Sequence, residues 1–343
     1  MKKLRILVIR FSSIGDIVLT TPVMRLIKAK YPDCELHFVT KKKFKDVVAL
    51  NPHIDVLHLL DESLSDCIKE LKQSEYDYVV DLHNNFRSKR VRRSVKAGRV
   101  SWLNKLDIRK FLYTFFKINR LPDVHITDRE VDTLKELGIE NDHKGLEYYI
   151  SDNDDAKAQE LTSTLTNGYV AFVIGATYYT KRMPAELIAR IADQLHKPVV
   201  LVGGPGDAAD AQLIEQQCKN NSILNLCSKL PLNVSAGIVK NAALVIAHDT
   251  GLMHIAAAFK KNILTLWGNT VPEFGMYACE PGALSIDFEV KNLKCRPCSK
   301  LGHHHCPKKH FNCMNQQPVD AIAAKANEIL SKTAQNHVQE PTV

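Results

Sequence analysis

The segment "SSIGD" (12–16) follows the apolar run "LRILVIR" and holds a carboxylate, Asp16, at the point where a helix begins. A carboxylate in that position can cap the helix, because the first turn attracts negative charge. It can also serve as a general base that removes a proton from a hydroxyl group. Gly15 allows a tight turn and the close approach of a ligand, but the segment matches neither the Walker nor the G-x-G-x-x-G pattern. Both interpretations of Asp16 are open on these residues alone.

A second segment, "GATYYTKRMPAE" (175–186), combines two hydroxyl groups with a lysine in front of a helix. Thr177 and Thr180 precede Lys181, and Pro184 stands where the helix is expected to start. A lysine placed there can add positive charge to the backbone amides that bind phosphate. The alternative is a surface lysine next to a helix cap.

Two further segments follow apolar strands in the second half of the chain. In "VGGPGDAADA" (202–211) the glycines leave space beside a ligand, and Asp207 can cap a helix or accept hydrogen bonds from a ribose. In "AHDTGLMHIAAA" (247–258) a strand ends at Asp249, and Thr250 and Gly251 open a helix of small residues. The free amides of such a helix start can bind a diphosphate.

The elements that must position these segments alternate between strand and helix. The alternation of strand and helix runs from residue 4 to about residue 102, and it restarts at about residue 168, after a polar stretch. This order predicts an α/β protein with two doubly wound parallel sheets, and the boundary between the domains lies within residues 145–167. All four segments then lie at the carboxyl ends of strands, where such sheets bind ligands.

The charge of the chain points to an anionic partner. The net charge is +8, and "RSKRVRRSVKAGR" (87–99) is the densest basic run, extended by four later basic residues up to Arg120. Nucleic acid, a membrane surface or a phosphorylated substrate would suit such a surface, and a solvated face without a partner is the alternative. Few aromatic residues interrupt the basic run, which argues against stacking on single-stranded nucleic acid.

Residues 105–121 combine apolar and basic side chains at helical spacing. Phe111, Leu112, Phe115 and Phe116 recur every three or four residues, so we predict a helix that faces the core, with a membrane-surface helix as the alternative. No apolar run approaches the roughly 20 residues that cross a bilayer, and no signal peptide is recognised at the N-terminus. We therefore expect a cytoplasmic protein.

Four of the nine cysteines cluster near the C-terminus within "CRPCSKLGHHHCPKKHFNCM". These are Cys295, Cys298, Cys306 and Cys313. A C-x-x-C pair with two further thiols is compatible with a structural zinc site, although the spacing is looser than in a zinc ribbon. Reduced thiols or a disulfide are the alternatives.

The four segments, together with "LWGNTVPEF" (266–274), resemble the ADP-heptose:lipopolysaccharide heptosyltransferase family, which is glycosyltransferase family nine. The resemblance covers nearly the whole chain. It implies the GT-B fold, two Rossmann-like domains facing across a cleft, with an acceptor-binding domain at 1–155, a nucleotide-sugar-binding domain at 156–320, and a closing helix with a frayed tail at 321–343. It implies an inverting transfer of heptose from ADP-heptose to the lipopolysaccharide inner core that needs no metal or other cofactor.

The resemblance also assigns roles to individual residues. Asp16 becomes the general base for the acceptor hydroxyl, and Lys181 neutralises the departing diphosphate. The remaining donor-side residues are Thr177, Thr180, Asp207, Asp249, Thr250 and Gly251. Position and charge, rather than the resemblance, make Ser13, Gly15, His83, Asn84 and Arg87 the expected acceptor-side residues. Met183 replaces a tryptophan that is frequent in the family, which affects packing near the nucleotide more than chemistry.

The expected partners follow from this assignment: a nucleotide-sugar donor, a phosphorylated or Kdo-bearing lipid A core acceptor, and the cytoplasmic face of the inner membrane, but no nucleic acid. Three alternatives stay open on the sequence. The chain could use another sugar nucleotide, act as a related sugar-nucleotide epimerase, or bind anionic surfaces without catalysis.

Overall fold

The computed structural model describes residues 3–220 and 222–339, which form two compact units. The first unit comprises residues 3–107 and 122–149, and the second comprises 108–121 and the described residues from 150 onward. The segment 108–121, which the sequence analysis includes in the N-terminal domain, therefore groups with the second unit.

The first unit is a five-stranded parallel sheet with helices between its strands. The strands are β1 (Arg5–Ile9), β2 (Glu35–Lys41), β3 (Val56–Leu60), β4 (Glu75–Asp81) and β5 (Lys96–Trp102). The helices are α1 (Ile14–Leu19), α2 (Thr21–Lys30), α3 (Leu64–Leu71), α4 (Phe86–Ser94) and α6 (Ile126–Val131), with 3₁₀ turns at Lys42–Val47 and Asp132–Leu137; α5 (Asp107–Phe116) lies almost wholly in the second unit. The strand order β3-β2-β1-β4-β5 confirms the predicted doubly wound arrangement.

The helix predicted directly after β1 is interrupted. Thr20 ends α1, and its hydroxyl donates to the carbonyl of Ile17. Pro22 then lies in the first turn of α2, where its missing N–H costs nothing. Helix α4 is not predicted from the sequence, because its polar and basic composition hides the helical pattern.

The second unit is a six-stranded parallel sheet. Its strands are β6 (Val170–Val173), β7 (Val199–Val202), β8 (Ile223–Asn225), β9 (Leu244–His248), β10 (Ile263–Trp267) and β11 (Ile286–Glu289), in the order β11-β10-β9-β6-β7-β8. Its helices are α7 (Asp152–Leu161), α8 (Ala185–Ala192), α9 (Ala208–Gln217), α10 (Leu232–Asn241), α11 (Gly251–Ala258), α12 (Asn312–Asn315) and α13 (Val319–Gln339), with 3₁₀ turns at Tyr179–Lys181, Pro205–Asp207 and Pro272–Phe274. The apolar faces of α8 and α13 pack on this sheet.

The polar stretch at the predicted domain boundary is a helix, α7, with Ser151 as its N-cap. It packs against α10 so closely that a Cβ on Gly237 would lie 2.7 Å from that of Ala158. At the other end of the unit, α13 runs from Val319 to Gln339, so most of the segment 321–343 is helical. The rest of the predicted frayed tail, residues 340–343, lies outside the described residues.

The prediction that the aromatic residues of 105–121 face the core is wrong. In α5 only Thr114 is buried, whereas the side chains of Phe111, Phe115 and Phe116 are exposed. Among the helices that the structure describes, none is long and apolar enough to cross a membrane.

Candidate active site

The residues after β1 and β4 meet where the strand order of the first sheet reverses. Arg10 follows β1 directly, and its guanidinium donates to the carbonyl of Leu82, which follows β4. In doubly wound sheets this reversal opens a crevice at the carboxyl ends of the strands, where ligands bind. The arginine thus links the two loops that carry Asp16 and His83.

Asp16 is held from two sides. One carboxylate oxygen accepts hydrogen bonds from the backbone N–H of Ser13 at 3.0 Å and from the Ser13 hydroxyl at 2.7 Å. The other oxygen lies 2.5 Å from the Arg10 guanidinium, and about a quarter of the side chain is exposed. Asp16 therefore does cap α1, which is the first of the two interpretations that the sequence allows. The ion pair fixes the carboxylate at a partly open position, which a general base also requires.

A buried glutamate that the sequence analysis did not single out lies behind this pair. Glu130 of α6 is 1% exposed, and one of its oxygens lies 3.6 Å from the guanidinium of Arg10. Burial, together with the charge of Asp16, raises the pKa of Glu130 to about 8, although the charges of Arg10 and Arg129 oppose the shift. Arg10 thus lies between two carboxyl groups of different environment. Nothing in the sequence near Glu130 marks it, because its neighbours look like an ordinary helix.

The loop after β4 places His83, Asn84 and Arg87 differently from one another. The buried carboxylate of Asp81 accepts hydrogen bonds from the backbone N–H groups of His83 and Asn84 at 3.0 and 2.7 Å. Burial, aided by the charge of Arg10, lowers the pKa of His83 to about 3, so this imidazole is neutral at physiological pH. The amide of Asn84 donates to the carbonyl of Leu103, whereas Arg87 is exposed. Of the three, Arg87 is the one that carries an exposed positive charge.

The second sheet reverses its strand order between β6 and β9, and the most informative contact of the unit lies there. The ammonium of Lys181, in the loop after β6, lies 2.6 Å from a carboxylate oxygen of Asp249, the residue after β9. The same oxygen accepts a hydrogen bond from the Thr270 hydroxyl at 2.9 Å. Asp249 is followed by Thr250, the N-cap of α11, and by Gly251, its first residue, and both are half-buried. The two sequence segments thus meet at one crevice.

Thr180 belongs to the scaffold of this crevice. Its hydroxyl donates to the Asn269 side chain at 3.0 Å and accepts from the backbone N–H of His303 at 2.8 Å, and the side chain is buried. These partners occupy the hydroxyl that the sequence analysis assigns to the donor. Thr177, in contrast, is exposed in the loop after β6.

Asp207 is also committed to local structure. Its side chain is buried, accepts a hydrogen bond from the backbone N–H of Gly204 at 2.8 Å, and lies 3.1 Å from the guanidinium of Arg182. A Cβ on Gly175 would come within 2.1 Å of the Asp207 carboxylate, so the glycine is needed for the carboxylate to reach this position. The capping interpretation of Asp207 is therefore the one that its contacts match.

The cysteine-rich segment supports the loop that follows β10. Arg296 donates to the carbonyls of Gly268 and Thr270 at 2.7 and 2.8 Å and pairs with Glu289 at 2.6 Å. The backbone N–H of Cys298 donates to the carbonyl of Asn269 at 3.3 Å. The segment thus fixes the loop after β10, which carries Thr270 against Asp249.

The thiols of this segment are free. Cys295, Cys298, Cys306 and Cys313 form no disulfide, so the disulfide alternative does not hold. Cys295 Sγ lies 3.8 Å from His310 Nε2. Within 3–220 and 222–339, no three side chains of histidine, cysteine, aspartate or glutamate are arranged to hold a metal ion. The tetrahedral set that the zinc interpretation predicts is thus not formed in this arrangement.

The profile described as "Glycosyltransferase family 9 (heptosyltransferase)" matches residues 65–304, which is well over half of the chain. The protein belongs to glycosyltransferase family 9. Lipopolysaccharide heptosyltransferase 1 of Pseudomonas aeruginosa is 24% identical to this family 9 glycosyltransferase over 336 residues, 92% of the chain and 93% of the relative. Family membership makes the protein an enzyme, which removes the alternative of a non-catalytic binding protein.

Solved structures agree with the fold of this family 9 glycosyltransferase. A family 9 glycosyl transferase from Veillonella parvula superposes with a TM-score of 0.79 at 24% identity, covering 97% of the chain and 99% of that structure. The Escherichia coli heptosyltransferase WaaC with ADP superposes with a TM-score of 0.66 at 20% identity, over 95% and 100% of the two chains. These likenesses confirm the predicted GT-B fold class.

Several residues with contacts around these two crevices were not singled out from the sequence. They are Arg10, Glu130, Arg182, Asn269, Thr270 and Arg296. Arg10, Asn269 and Thr270 lie within three residues of a strand end, so a search of every strand end would have found them. The others are recognisable only from contacts between distant parts of the chain.

Proposed function

We propose that this enzyme transfers heptose from ADP-heptose to a hydroxyl of the lipopolysaccharide inner core, with inversion at the anomeric carbon and without a metal. The names of the relatives support the sugar and the pathway, since those relatives are lipopolysaccharide and lipooligosaccharide heptosyltransferases. The ADP named with the superposed WaaC structure supports the nucleotide. The observation that carries the proposal is the Lys181–Asp249 ion pair at the reversal point between β6 and β9.

The donor side needs positive charge where ADP leaves. The ammonium of Lys181 carries three N–H donors, and Asp249 engages one of them at 2.6 Å. The other two can bind the diphosphate, together with the amides at the start of α11 and the Thr177 hydroxyl. This fixed set of donors stabilises the negative charge that develops on the leaving diphosphate. Lys181 thereby supplies the charge that a divalent metal supplies in other transferases.

The acceptor side needs a base. In our proposal the Asp16 carboxylate takes the proton of the acceptor hydroxyl while that oxygen bonds to the anomeric carbon. The bond from the anomeric carbon to the β-phosphate oxygen breaks, and ADP leaves with the bonding electrons. Ser13 and Arg10 hold the carboxylate in place through the contacts described above. Attack from the face opposite the leaving group inverts the anomeric configuration.

The acceptor is expected to be a phosphorylated or Kdo-bearing lipid A core. The exposed Arg87 and the basic run around it suit its negative charge. Because such an acceptor is anchored in a bilayer, we propose that the enzyme works at the cytoplasmic face of the inner membrane.

Calorimetric titration of the full chain with ADP, UDP, GDP and dTDP, each with and without EDTA, tests the donor. We expect ADP alone to bind, with an unchanged affinity in EDTA. A transfer assay with ADP-heptose and a Kdo-bearing lipid A acceptor then tests the reaction, and NMR of the product tests inversion. Binding of another nucleotide in place of ADP would replace the donor, and loss of ADP binding in EDTA would overturn metal independence.

A further inference from the structure

Helix α5 carries its apolar side outward. Four large apolar side chains of this helix are strongly exposed: Ile108 at 78%, Phe111 at 50%, Phe115 at 68% and Phe116 at 61%. An ordinary surface helix exposes its polar face and buries its apolar face. Exposed apolar groups that are contiguous, rather than scattered, mark a surface that binds another molecule or a membrane.

The exposed rings form one cluster. The ring centroids of Phe111 and Phe115 are 4.6 Å apart, and those of Phe111 and Phe116 are 6.0 Å apart. Ile108 precedes Phe111 by one turn, and Ile118, 46% exposed, extends the apolar surface beyond the helix end. We call these five residues the α5 patch.

The other side of α5 is anchored to the second unit. The Tyr113 ring contacts the Phe274 ring with centroids 6.1 Å apart, and the ammonium of Lys110 lies over the same ring. The ammonium of Lys117 donates to the carbonyls of Cys295 and Pro297 at 3.3 and 2.6 Å. Because these contacts hold the polar and aromatic face of the helix against the second unit, the α5 patch lies on the outward face.

The charges around the patch indicate which kind of partner it binds. Residues 108–120 contain four basic residues and no acidic one, and the side chains of Arg109 and Arg120 are exposed. Two copies of the chain that met through the patch would bring these positive charges together. An anionic lipid surface instead attracts the arginines and accepts the phenylalanines among its acyl chains. Charge complementarity therefore favours a lipid surface over a second copy.

We propose that the α5 patch is the membrane anchor of this enzyme: the phenylalanine cluster inserts into the interface of an anionic bilayer, and Arg109 and Arg120 contact lipid phosphates. This inference deepens the proposed function, because it names the element that brings the enzyme to a lipid-anchored acceptor. It depends on contacts within the second unit and on no assumption about the sugar.

Flotation of the full chain with vesicles of phosphatidylethanolamine and phosphatidylglycerol, or of phosphatidylcholine alone, tests the anchor. The variant Phe111→Ser/Phe115→Ser/Phe116→Ser is expected to bind anionic vesicles about tenfold or more weakly than the parent chain. Because these side chains are exposed, the changes should not lower the melting temperature. Leu213→Ser, which removes an exposed apolar side chain of α9, is the matched control and should bind like the parent.

The variant Arg109→Glu/Arg120→Glu tests the charges. At low salt, we expect this variant to lose about as much affinity for anionic vesicles as the triple serine variant does. Lys291→Glu, which reverses a charge at another exposed position, should have little effect. A Phe115→Trp variant should shift its emission to shorter wavelength on vesicles and be quenched by brominated lipids. Unchanged flotation of the triple serine variant, or absence of quenching, would overturn the anchor.

Two further measurements distinguish the membrane anchor from a contact between two copies of the chain and from the proposed reaction. If light scattering showed that the parent chain is a dimer and the triple serine variant a monomer, the patch would be a contact between copies and the proposal would be wrong. Transfer to a deacylated, water-soluble acceptor should be equal in the parent and the triple serine variant. If the parent lacked that activity yet floated through the patch, the proposed reaction would fail while the anchor stood.

Discussion

Lys181 and Asp249 form a 2.6 Å ion pair although they are 68 residues apart in the sequence. Their side chains are only 16% and 12% exposed, so each charge depends on the other for its compensation. Thr270 donates to the same carboxylate oxygen and fixes its orientation. The pair therefore holds an ammonium ready at the crevice before any ligand arrives, which lowers the cost of binding a diphosphate there.

The first prediction separates the charge of Lys181 from the stability that the pair provides. Lys181→Met should lower the transfer rate about a hundredfold or more, because in the proposed reaction it removes the cation that faces the leaving diphosphate. It should also destabilise the fold by about 3 kcal/mol, because a partly buried Asp249 is left without its partner. Initial rates and denaturant unfolding measure the two effects.

The double variant Lys181→Met/Asp249→Asn is the control for this prediction. It should regain most of the lost stability, because no uncompensated charge is left, but it should regain none of the activity. A double variant as active as the parent would show that the ion pair is purely structural.

The second prediction distinguishes the two roles of Asp16. Asp16→Asn keeps an oxygen that can accept the hydrogen bond from the Ser13 N–H, but it cannot take a proton. The transfer rate should fall by about a thousandfold, within the range of general-base catalysis, with little change in ADP affinity. Asp16→Ala should lose the same activity and, in addition, about 1 kcal/mol of stability, because the cap is lost as well. An active Asp16→Asn enzyme would reduce Asp16 to a cap.

The sequence was sufficient to locate the loops that follow the strands of the two sheets. Strand-to-helix periodicity placed Asp16, Lys181 and Asp249 at the carboxyl ends of parallel strands, where ligands bind. Their roles came from the family resemblance and stay predictions. The alternation of elements likewise predicted both doubly wound sheets. Such patterns are local, and each one can be recognised within about a dozen residues.

The parts that the sequence did not reveal depend on contacts between distant segments. Glu130 sits in an unremarkable helical stretch, and its importance comes from Arg10, 120 residues away, and from its burial. The phenylalanines of α5 have the spacing of a core helix, and only the anchoring of the opposite side through Lys117 and Tyr113 shows that they face outward. Periodicity identifies an amphipathic helix but not the side that the rest of the fold covers.

The third prediction concerns the pH dependence of stability. The pKa of Glu130 is about 8 in the folded protein, against an ordinary value of 4.5. Below pH 4.5 the group is neutral in both states, so the stability that it contributes is fully present. Between pH 4.5 and pH 8 the unfolded chain ionises first, so that contribution is progressively lost as the pH rises. Glu130→Gln, which cannot ionise, removes this dependence.

Paired unfolding curves at pH 5 and pH 8 measure this effect. The free energy of unfolding of Glu130→Gln minus that of the parent should increase by about 1 kcal/mol or more from pH 5 to pH 8. Glu75→Gln, an exposed carboxylate of β4 in the same unit, should show no such change. A difference that is constant with pH would mean that Glu130 is ionised throughout this range, as a partner of Arg10.

The fourth prediction tests whether the close packing of the donor-side loops matters for nucleotide binding. A Cβ on Gly268 would lie 2.4 Å from the backbone carbonyl oxygen of Thr180 and 3.5 Å from the Cα of Lys181. Gly268→Ala must therefore push apart the loops after β6 and β10, at a cost of about 1–3 kcal/mol. Because Lys181 and Thr270 lie on these two loops, the ion pair with Asp249 should be displaced, and calorimetry should show weaker ADP binding.

Gly206→Ala is the matched control, because a Cβ there would meet nothing within 4 Å. Gly206 lies in a neighbouring loop of the same sheet edge, so the variant controls for a glycine replacement near the crevice. It should keep the stability and ADP affinity of the parent. Gly268→Ala could instead lose stability but keep full ADP affinity. Nucleotide binding would then tolerate the displaced loops, and the position of Lys181 would not control it.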